Sequence, residues 1–323
     1  MRRTCIALAA VGLVAATIPT IATAADDWPN RPVRVISPFA AGGTADVLAR
    51  IVADHLSQVF KQQFYVEVLA GAGGQIGVRQ LITSKPDGYN LAITNVSHLV
   101  LHPFNRPDVT YDPRKDLTNI AFVGGSPIVL AVNAKSGPKS LEDFLKQGKT
   151  KGLTYSSSGL GSMGHLFGVN FANTAKIKTE HIPYKGASQG LADLVGGHII
   201  WSSQALSSAS SYLRSGSLRG LALSTDKRLS SWPDLPTFKE QGIDLEASIW
   251  FALSGPPGMS PELVKKLNEA IVSGLKEPKL AERMQRDGLI TQFFTPEELD
   301  QFIAREIKIW EPVIKDAGLY AKK

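Results

Sequence analysis

The chain begins its globular part with two strand–turn–helix units. In the first, residues 33–36 are a short β-branched run and residues 38–43 contain the glycines of a turn. A helical stripe of apolar side chains follows, and Thr44 is its predicted N-cap. In the second unit, residues 64–68 predict a strand and residues 71–74 a glycine turn, with an apolar segment after them.

The same pattern restarts in the second half of the chain. Residues 128–132 and 153–155 predict strands, and residues 140–146 predict the helix between them. A serine- and glycine-rich turn at residues 156–164 leads into a helix predicted for residues 165–172. Strands that alternate with helices indicate an α/β fold whose sheets are mostly parallel and covered on both faces.

Further elements have clear start signals. Strands are predicted at residues 89–93, 181–182 and 218–223. One helix should begin after Ser260, which is followed by a first-position proline. Another should begin after Thr295, which opens a capping-box sequence.

The glycine- and serine-rich turns are candidate anion sites. In open α/β sheets, ligands bind beyond the carboxyl ends of strands, and helix N-termini there offer free N–H groups and a partial positive charge. The leading candidate is residues 39–46, and an ordinary βα turn is the alternative. Asp46 lies in the first helical turn, where a carboxylate favours the helix dipole, so it is not expected to touch the anion.

The N-terminus predicts export. Arg2 and Arg3 precede an apolar run at residues 6–18, and Ala22-Thr23-Ala24 provides a small-residue cleavage site. This order is typical of a signal peptide, here residues 1–24, and the apolar run is shorter than the roughly 20 residues of a membrane anchor. The only cysteine, Cys5, lies inside it. We therefore expect no disulfide, thiolate nucleophile or cysteine metal site in the mature chain.

Charge and length further narrow the class of protein that the sequence predicts. The chain has 35 basic and 29 acidic residues, and the basic residues are dispersed. Nucleic acid binding needs a concentrated basic surface, so no nucleic acid partner is expected. A mature length of about 300 residues suggests two domains.

Signals for catalysis and cofactors are weak. Residues 159–164 match G-x-G-x-x-G and Glu180 follows at a suitable distance, but an exported chain does not ordinarily meet free dinucleotides. No metal-site spacing or nucleophile elbow occurs, so we expect no metal, no cofactor and no enzymatic activity. The alternative is an exported hydrolase in which a serine of residues 156–162 uses His165 as its base.

Short motifs then run in order along almost the whole mature chain. They are Trp28-Pro29, Arg31-Pro32-Val33-Arg34-Val35-Ile36, Pro38 to Asp46, Gly71-Ala72-Gly73-Gly74, Pro86-Asp87-Gly88-Tyr89, Tyr111-Asp112-Pro113, Gly161-Ser162, Ile182-Pro183-Tyr184-Lys185-Gly186, Trp232 to Thr237 and Gly255-Pro256-Pro257-Gly258. Together they resemble the Bug family, the periplasmic binding components of tripartite tricarboxylate transporters.

The resemblance implies a two-domain clamshell of the periplasmic-binding type, similar to type II, with a hinge of two crossover segments. Residues 28–126 and 250–323 would form one domain and residues 127–249 the other. Two βα loops, one from each domain, would bind the carboxylate of a small organic acid between them. The implied ligand-binding residues are Phe39, Ala40, Ala41, Gly42, Gly43, Thr44, Asn95, Ser97, His98, Ser157, Ser158, Gly161, Ser162, Tyr184 and Gln204.

The same resemblance implies a monomeric periplasmic protein that delivers a mono- or dicarboxylate to membrane permease subunits. Delivery of the ligand signal to a sensor kinase is the alternative. Residues 196–204 depart from the family pattern because they contain no carboxylate, which disfavours amino acids as ligands. Trp201 in this segment would favour an aromatic acid if it faced the ligand, but we expect it to pack in the core.

Overall fold

The computed structural model describes residues 28–321, so the predicted signal peptide lies outside the described residues. Within this range, nine strands form the framework: β1 (Val33–Ser37), β2 (Phe64–Val68), β3 (Asn90–Asn95), β4 (Thr118–Asn133), β5 (Leu153–Ser157), β6 (Thr179–Pro183), β7 (Trp201–Ala205), β8 (Leu218–Leu223) and β9 (Ser248–Gly255). The same described residues contain ten α-helices: α1 (Thr44–Phe60), α2 (Gln75–Ile82), α3 (His102–Asn105), α4 (Leu141–Thr150), α5 (Met163–Ala175), α6 (Ala187–Gly196), α7 (Leu206–Arg214), α8 (Pro261–Leu275), α9 (Pro278–Arg286) and α10 (Pro296–Asp316).

Two groups of strands share the long strand β4. Its first part pairs with β9, and the order there is β2-β1-β3-β9-β4. Its second part, from Ile128 onward, pairs with β7 and β8, and β7 continues through β5 to β6. We call the first group with α1–α3 and α8–α10 the first lobe, and the second group with α4–α7 the second lobe. The chain passes between the lobes within β4 and again between β8 and β9.

The expected mostly parallel arrangement is wrong. Parallel pairs join β1 to β2 and β3, and β5 to β6 and β7. Every pair that involves β4 or β9 is antiparallel. Apolar periodicity locates a strand without its direction, and β4 and β9 run against their neighbours because they carry the chain out of and back into the first lobe.

Local signals located most elements but not all of their ends. The helices after Ser260 and Thr295 begin as predicted, and Thr295 forms a capping box with Glu298. The strand expected at residues 128–132 is only the second part of β4. Thr44 is not an N-cap: Gly43 holds that position, and Thr44 is the first helical residue, with its side chain directed to the other lobe.

Trp201 packs in the core, as expected. Its side chain is fully buried and stacks on Tyr155 with ring centroids 4.5 Å apart. Phe144 and Phe171 meet its edges. Burying an aromatic ring among other rings contributes both apolar area and favourable ring geometry. Trp201, the first residue of β7, therefore stabilises the second lobe.

Candidate functional site

The turn after β1 and the turns of the second lobe contact each other directly. We call residues 39–44 the first loop and residues 156–162 the second loop. In the first loop, the Ala40 N–H donates to the Lys185 carbonyl at 3.1 Å. The Ala41 carbonyl accepts the Ser188 hydroxyl at 2.7 Å. Peptide groups of one lobe thus find partners in the other.

Thr44 makes three hydrogen bonds between the lobes. Its N–H donates to the Ser208 Oγ at 3.1 Å. Its hydroxyl lies 2.7 Å from both the Ser207 Oγ and the Ser208 Oγ. The N-terminus of α1 is thereby joined to the N-terminus of α7 across the cleft.

Residues of the first lobe also hold the second loop, through hydrogen bonds near its C-terminal end. Asn105 Nδ2 donates to the Gly161 carbonyl at 2.9 Å, and Ser97 Oγ accepts the Met163 N–H at 3.1 Å. Arg106 donates to the Leu160 carbonyl at 3.3 Å. A Cβ atom on Gly159 would lie 3.0 Å from the Gly73 Cα, so only glycine allows this approach.

Between these contacts lies a small cavity of about 20 Å³, which is room for about one water molecule. Its lining residues are Phe39, Gly43, Thr44, Ala45, Asn95, Ser158, Ala187, Gln204, Ala205, Ser208, Ile249 and Phe251. Six of them were expected from the sequence, and no side chain among them is charged. Ala45 lies in the candidate loop at residues 39–46, and Ala205 lies in residues 202–205, which the family resemblance also implies as lining. Sequence reasoning missed Ala187, Ser208, Ile249 and Phe251; only Ser208, in a serine-rich stretch, carried a polar signal.

The cavity wall contains hydrogen-bond donors without partners. The first N–H groups of a helix have no intrahelical acceptor. At α1, Asp46 accepts the Gly42 N–H at 3.0 Å, and no acceptor for the Gly43 or Ala45 N–H is found within residues 28–321. Gln204 accepts the Ser158 hydroxyl at 2.9 Å, while its Nε2 is buried without a partner.

His98 supports the first lobe's side of the cavity from behind. Its ring stacks on Phe39 with centroids 5.3 Å apart. Its Nδ1 accepts the Asn95 N–H at 3.2 Å, and its Nε2 donates to the Gly73 carbonyl at 3.1 Å. Burial lowers the pKa of His98 to about 3, so the ring is neutral at neutral pH. Asn95 lines the cavity itself, and its Oδ1 accepts the Ser97 N–H at 3.1 Å.

Much of the second loop points away from the cavity. Ser157 Oγ lies 2.7 Å from His181 Nε2, and the Ser162 hydroxyl donates to Ser157 Oγ at 3.2 Å. The Gly161 N–H donates to His165 Nδ1 at 3.2 Å. Ser157, Gly161 and Ser162 are therefore placed behind the cavity wall.

The two histidines of that group are stacked 4.0 Å apart. Burial lowers the pKa of His165 to about 4 and that of His181 to about 3. The Nδ1 of His165 accepts the Gly161 N–H, and the hydroxyl of the fully buried Ser157 pairs with His181 instead. The arrangement does not place His165 as the base of a serine nucleophile.

The remaining expected residues also have other partners. The Tyr184 hydroxyl donates to the Asp193 carboxylate at 2.6 Å, on the side of α6. The glycines of the G-x-G-x-x-G sequence serve close packing: a Cβ on Gly164 would lie 2.3 Å from the Ser203 carbonyl oxygen. Protein atoms therefore fill the space beside this loop that a pyrophosphate would need.

Within residues 28–321, no cluster of three potential ligands suits a metal ion. No helix in that part of the chain has the length and hydropathy of a membrane span.

Comparison with known proteins places the fold and the cavity in context. A family model described as the tripartite tricarboxylate transporter family receptor matches residues 48–319. The Bordetella pertussis protein BugT is 33% identical over 320 residues, 98% of each chain.

Two solved structures from Rhodopseudomonas palustris are also similar. Rpa4515 with adipate is 30% identical, with a TM-score of 0.87 over 91% of this chain and 99% of that one. MatC with bound malate is 26% identical, with a TM-score of 0.83 over 89% and 100%. The expected α/β fold of the periplasmic-binding type is confirmed. The chain belongs to the family of tripartite tricarboxylate transporter receptors, whose members are solute-binding proteins.

Proposed function

We propose that this receptor binds a small organic carboxylate between its lobes at the first loop, with the lobes further apart than around the present cavity of about 20 Å³. The observation that carries the proposal is the set of unpartnered donors in the cavity wall: the N–H groups of Gly43 and Ala45 and the amide of Gln204. A carboxylate accepts several such hydrogen bonds, and charge-assisted bonds of this kind are stronger than neutral ones. The start of α1 adds the positive end of its helix dipole.

The uncharged wall of the cavity supports the proposed ligand class. No acidic side chain lines the cavity to pair with an ammonium group, so a carboxylate without an amino group is favoured over an amino acid. The solved relatives with adipate and with malate hold dicarboxylates, which supports the same class here.

Binding would close the two lobes on the ligand. We propose residues 28–126 with 250–323 as one domain and residues 127–249 as the other; in support, β4 changes sheets within one residue of the first boundary, between Pro127 and Ile128. The ligand adds contacts that exist only when the lobes meet, and this shifts the population toward the closed form. We further propose that the mature protein acts in the periplasm as a monomer, after removal of residues 1–24, and delivers its ligand to the transporter's membrane subunits.

Calorimetry with purified mature protein tests the site. Wild type should bind at least one of a set of aliphatic and aromatic mono- and dicarboxylates. Gln204→Glu should lower that affinity by about 100-fold, because it sets a buried like charge against the ligand. Gln80→Glu, an exposed change on α2, is the matched control and should leave affinity unchanged. Equal affinities in the two variants would place the ligand elsewhere.

A further inference from the structure

A second cavity, of about 310 Å³, lies beside the Thr44 contacts. It shares Gly43, Thr44 and Ser208 with the central cavity. Its other lining residues include Ser207, Ser211, Arg214, Arg283, Arg286 and Asp287. The two spaces therefore adjoin at Thr44 and Ser208.

The second cavity has uncompensated positive charge. Arg214, Arg283 and Arg286 line it, against the single acid Asp287. Asp287 lies 3.5 Å from Arg286. Within residues 28–321, neither Arg214 nor Arg283 has a carboxylate within ion-pair distance. Two guanidinium groups thus remain without a negative partner, and several hydroxyls accompany them.

Arg214 is held in position by neutral groups. Its guanidinium lies over the Trp232 ring, 4.3 Å from the centroid, and it donates to the Arg286 carbonyl. A cation fixed in this way keeps its charge available and loses little side-chain freedom when it meets an anion. Arg283 makes no hydrogen bond to the described part of the chain through its side chain, so it is free to turn toward a ligand.

The cavity is built from both lobes. Ser208, Ser211 and Arg214 lie on α7 of the second lobe, whereas Arg283 and Arg286 lie on α9 of the first. An anion that contacts Arg214 and Arg283 together would bind only when the lobes are in contact. Such a ligand favours the closed form and couples its own binding to that of the central ligand.

We propose that this cavity is a second anion site, which binds a carboxylate or phosphate-like oxyanion through Arg214 and Arg283. The inference extends the proposed function: the anionic group is either the second carboxylate of the ligand in the central cavity or a separate small anion. Guanidinium groups bind both kinds of oxyanion with paired N–H···O bonds.

The variants are Arg214→Gln and Arg283→Gln. Lys279→Gln, which removes an exposed positive charge from α9 outside the cavity, is the matched control. Because the Arg283 side chain has no hydrogen bond or ion pair to lose within residues 28–321, its variant stays informative even if Arg214→Gln destabilises the second lobe.

The first measurement is calorimetric affinity for adipate and for hexanoate in a phosphate-free buffer. If the site takes the ligand's own second carboxylate, wild type and the lysine variant should prefer adipate by roughly tenfold or more. Both arginine variants should lose that preference.

The second measurement is the melting temperature of each protein with increasing inorganic phosphate at constant ionic strength. If the site takes a separate anion, phosphate should raise the melting temperature of wild type and of the lysine variant but not of the arginine variants. This measurement needs no organic ligand, so it distinguishes failure of the second site from failure of the proposed function. If the adipate preference and the phosphate response are the same in the arginine variants as in the lysine variant, the proposal is wrong.

Discussion

The first and second loops are both rich in small residues, but their N–H and hydroxyl groups differ in whether they have partners. In the first loop, the Gly43 N–H has no acceptor in the described chain and adjoins the cavity. In the second loop, the Gly161 N–H and the hydroxyls of Ser157 and Ser162 bond to neighbours within their own lobe. Only Ser158 of the second loop lines the cavity. Glycine and other small residues therefore mark a tight turn in both places, and the available partners decide which turn can bind a ligand.

Each loop is nevertheless supported by a buried neutral histidine. His98 stacks on Phe39 in the first lobe, and His165 accepts the Gly161 N–H in the second. In both cases burial lowers the pKa of the ring. We infer from this difference between the loops that the first loop contributes hydrogen-bond donors to the proposed ligand. The second loop instead contributes contacts between the lobes.

The largest effect should come from blocking the approach of the second loop. Gly159 has φ +134° and faces the Gly73 Cα, so Gly159→Val should prevent full closure and lower carboxylate affinity on the order of 100-fold. The backbone strain should also cost about 1–3 kcal/mol of unfolding free energy. Calorimetry and urea unfolding measure the two effects. Gly152→Val, where a Cβ meets no atom within 4 Å, is the control; equal affinity in both variants would contradict a role for the second loop in closure.

A smaller effect should come from the first loop's hydroxyl. Thr44→Val removes the hydrogen bonds to Ser207 and Ser208 across the cleft, each contributing about 1 kcal/mol. We expect affinity to fall by roughly five- to thirtyfold, with the unfolding midpoint little changed.

Ser162→Ala is the matching change in the second loop. It removes the N-cap of α5, whose hydroxyl accepts the His165 N–H. It should cost about 1 kcal/mol of unfolding free energy and change affinity by less than about twofold. If Ser162→Ala lowers affinity as much as Thr44→Val, the assigned difference between the loops is wrong.

A separate effect, on stability and not on affinity, should be a pH dependence. The pKa of His165 is lowered from 6.5 to about 4 in the folded protein, so the unfolded chain binds the extra proton between these values. The stability that comes from keeping His165 neutral is therefore complete above pH 6.5. It is lost as the pH drops toward 4, where the free energy of unfolding falls by up to about 1.4 kcal/mol per pH unit.

Urea titrations between pH 7.5 and 4.5 measure this slope. His165→Asn should reduce it by the contribution of one proton, whereas His198→Asn, an exposed change on the same lobe, is the control. Equal slopes in wild type and His165→Asn would show that His165 is not held neutral by the fold.

The sequence by itself determined the α/β class, most strands and helix starts, the first loop and the family. These features depend on residues close together in the chain: β-branched runs, the caps at Ser260 and Thr295, and glycine turns. Six of the cavity residues followed from the family resemblance. The burial of Trp201 was also expected, although its ring partners were not.

Only the tertiary structure decided the rest. The antiparallel β9 brings Ile249 and Phe251 to the cavity, and α7 and α9 bring Arg214 and Arg283 to one pocket. Ser157 and Tyr184 turn away because His181 and Asp193 lie within hydrogen-bonding reach. Local patterns specify an element, whereas the partners of its polar groups come from residues distant in the chain; whether a donor remains free for a ligand is therefore settled by packing.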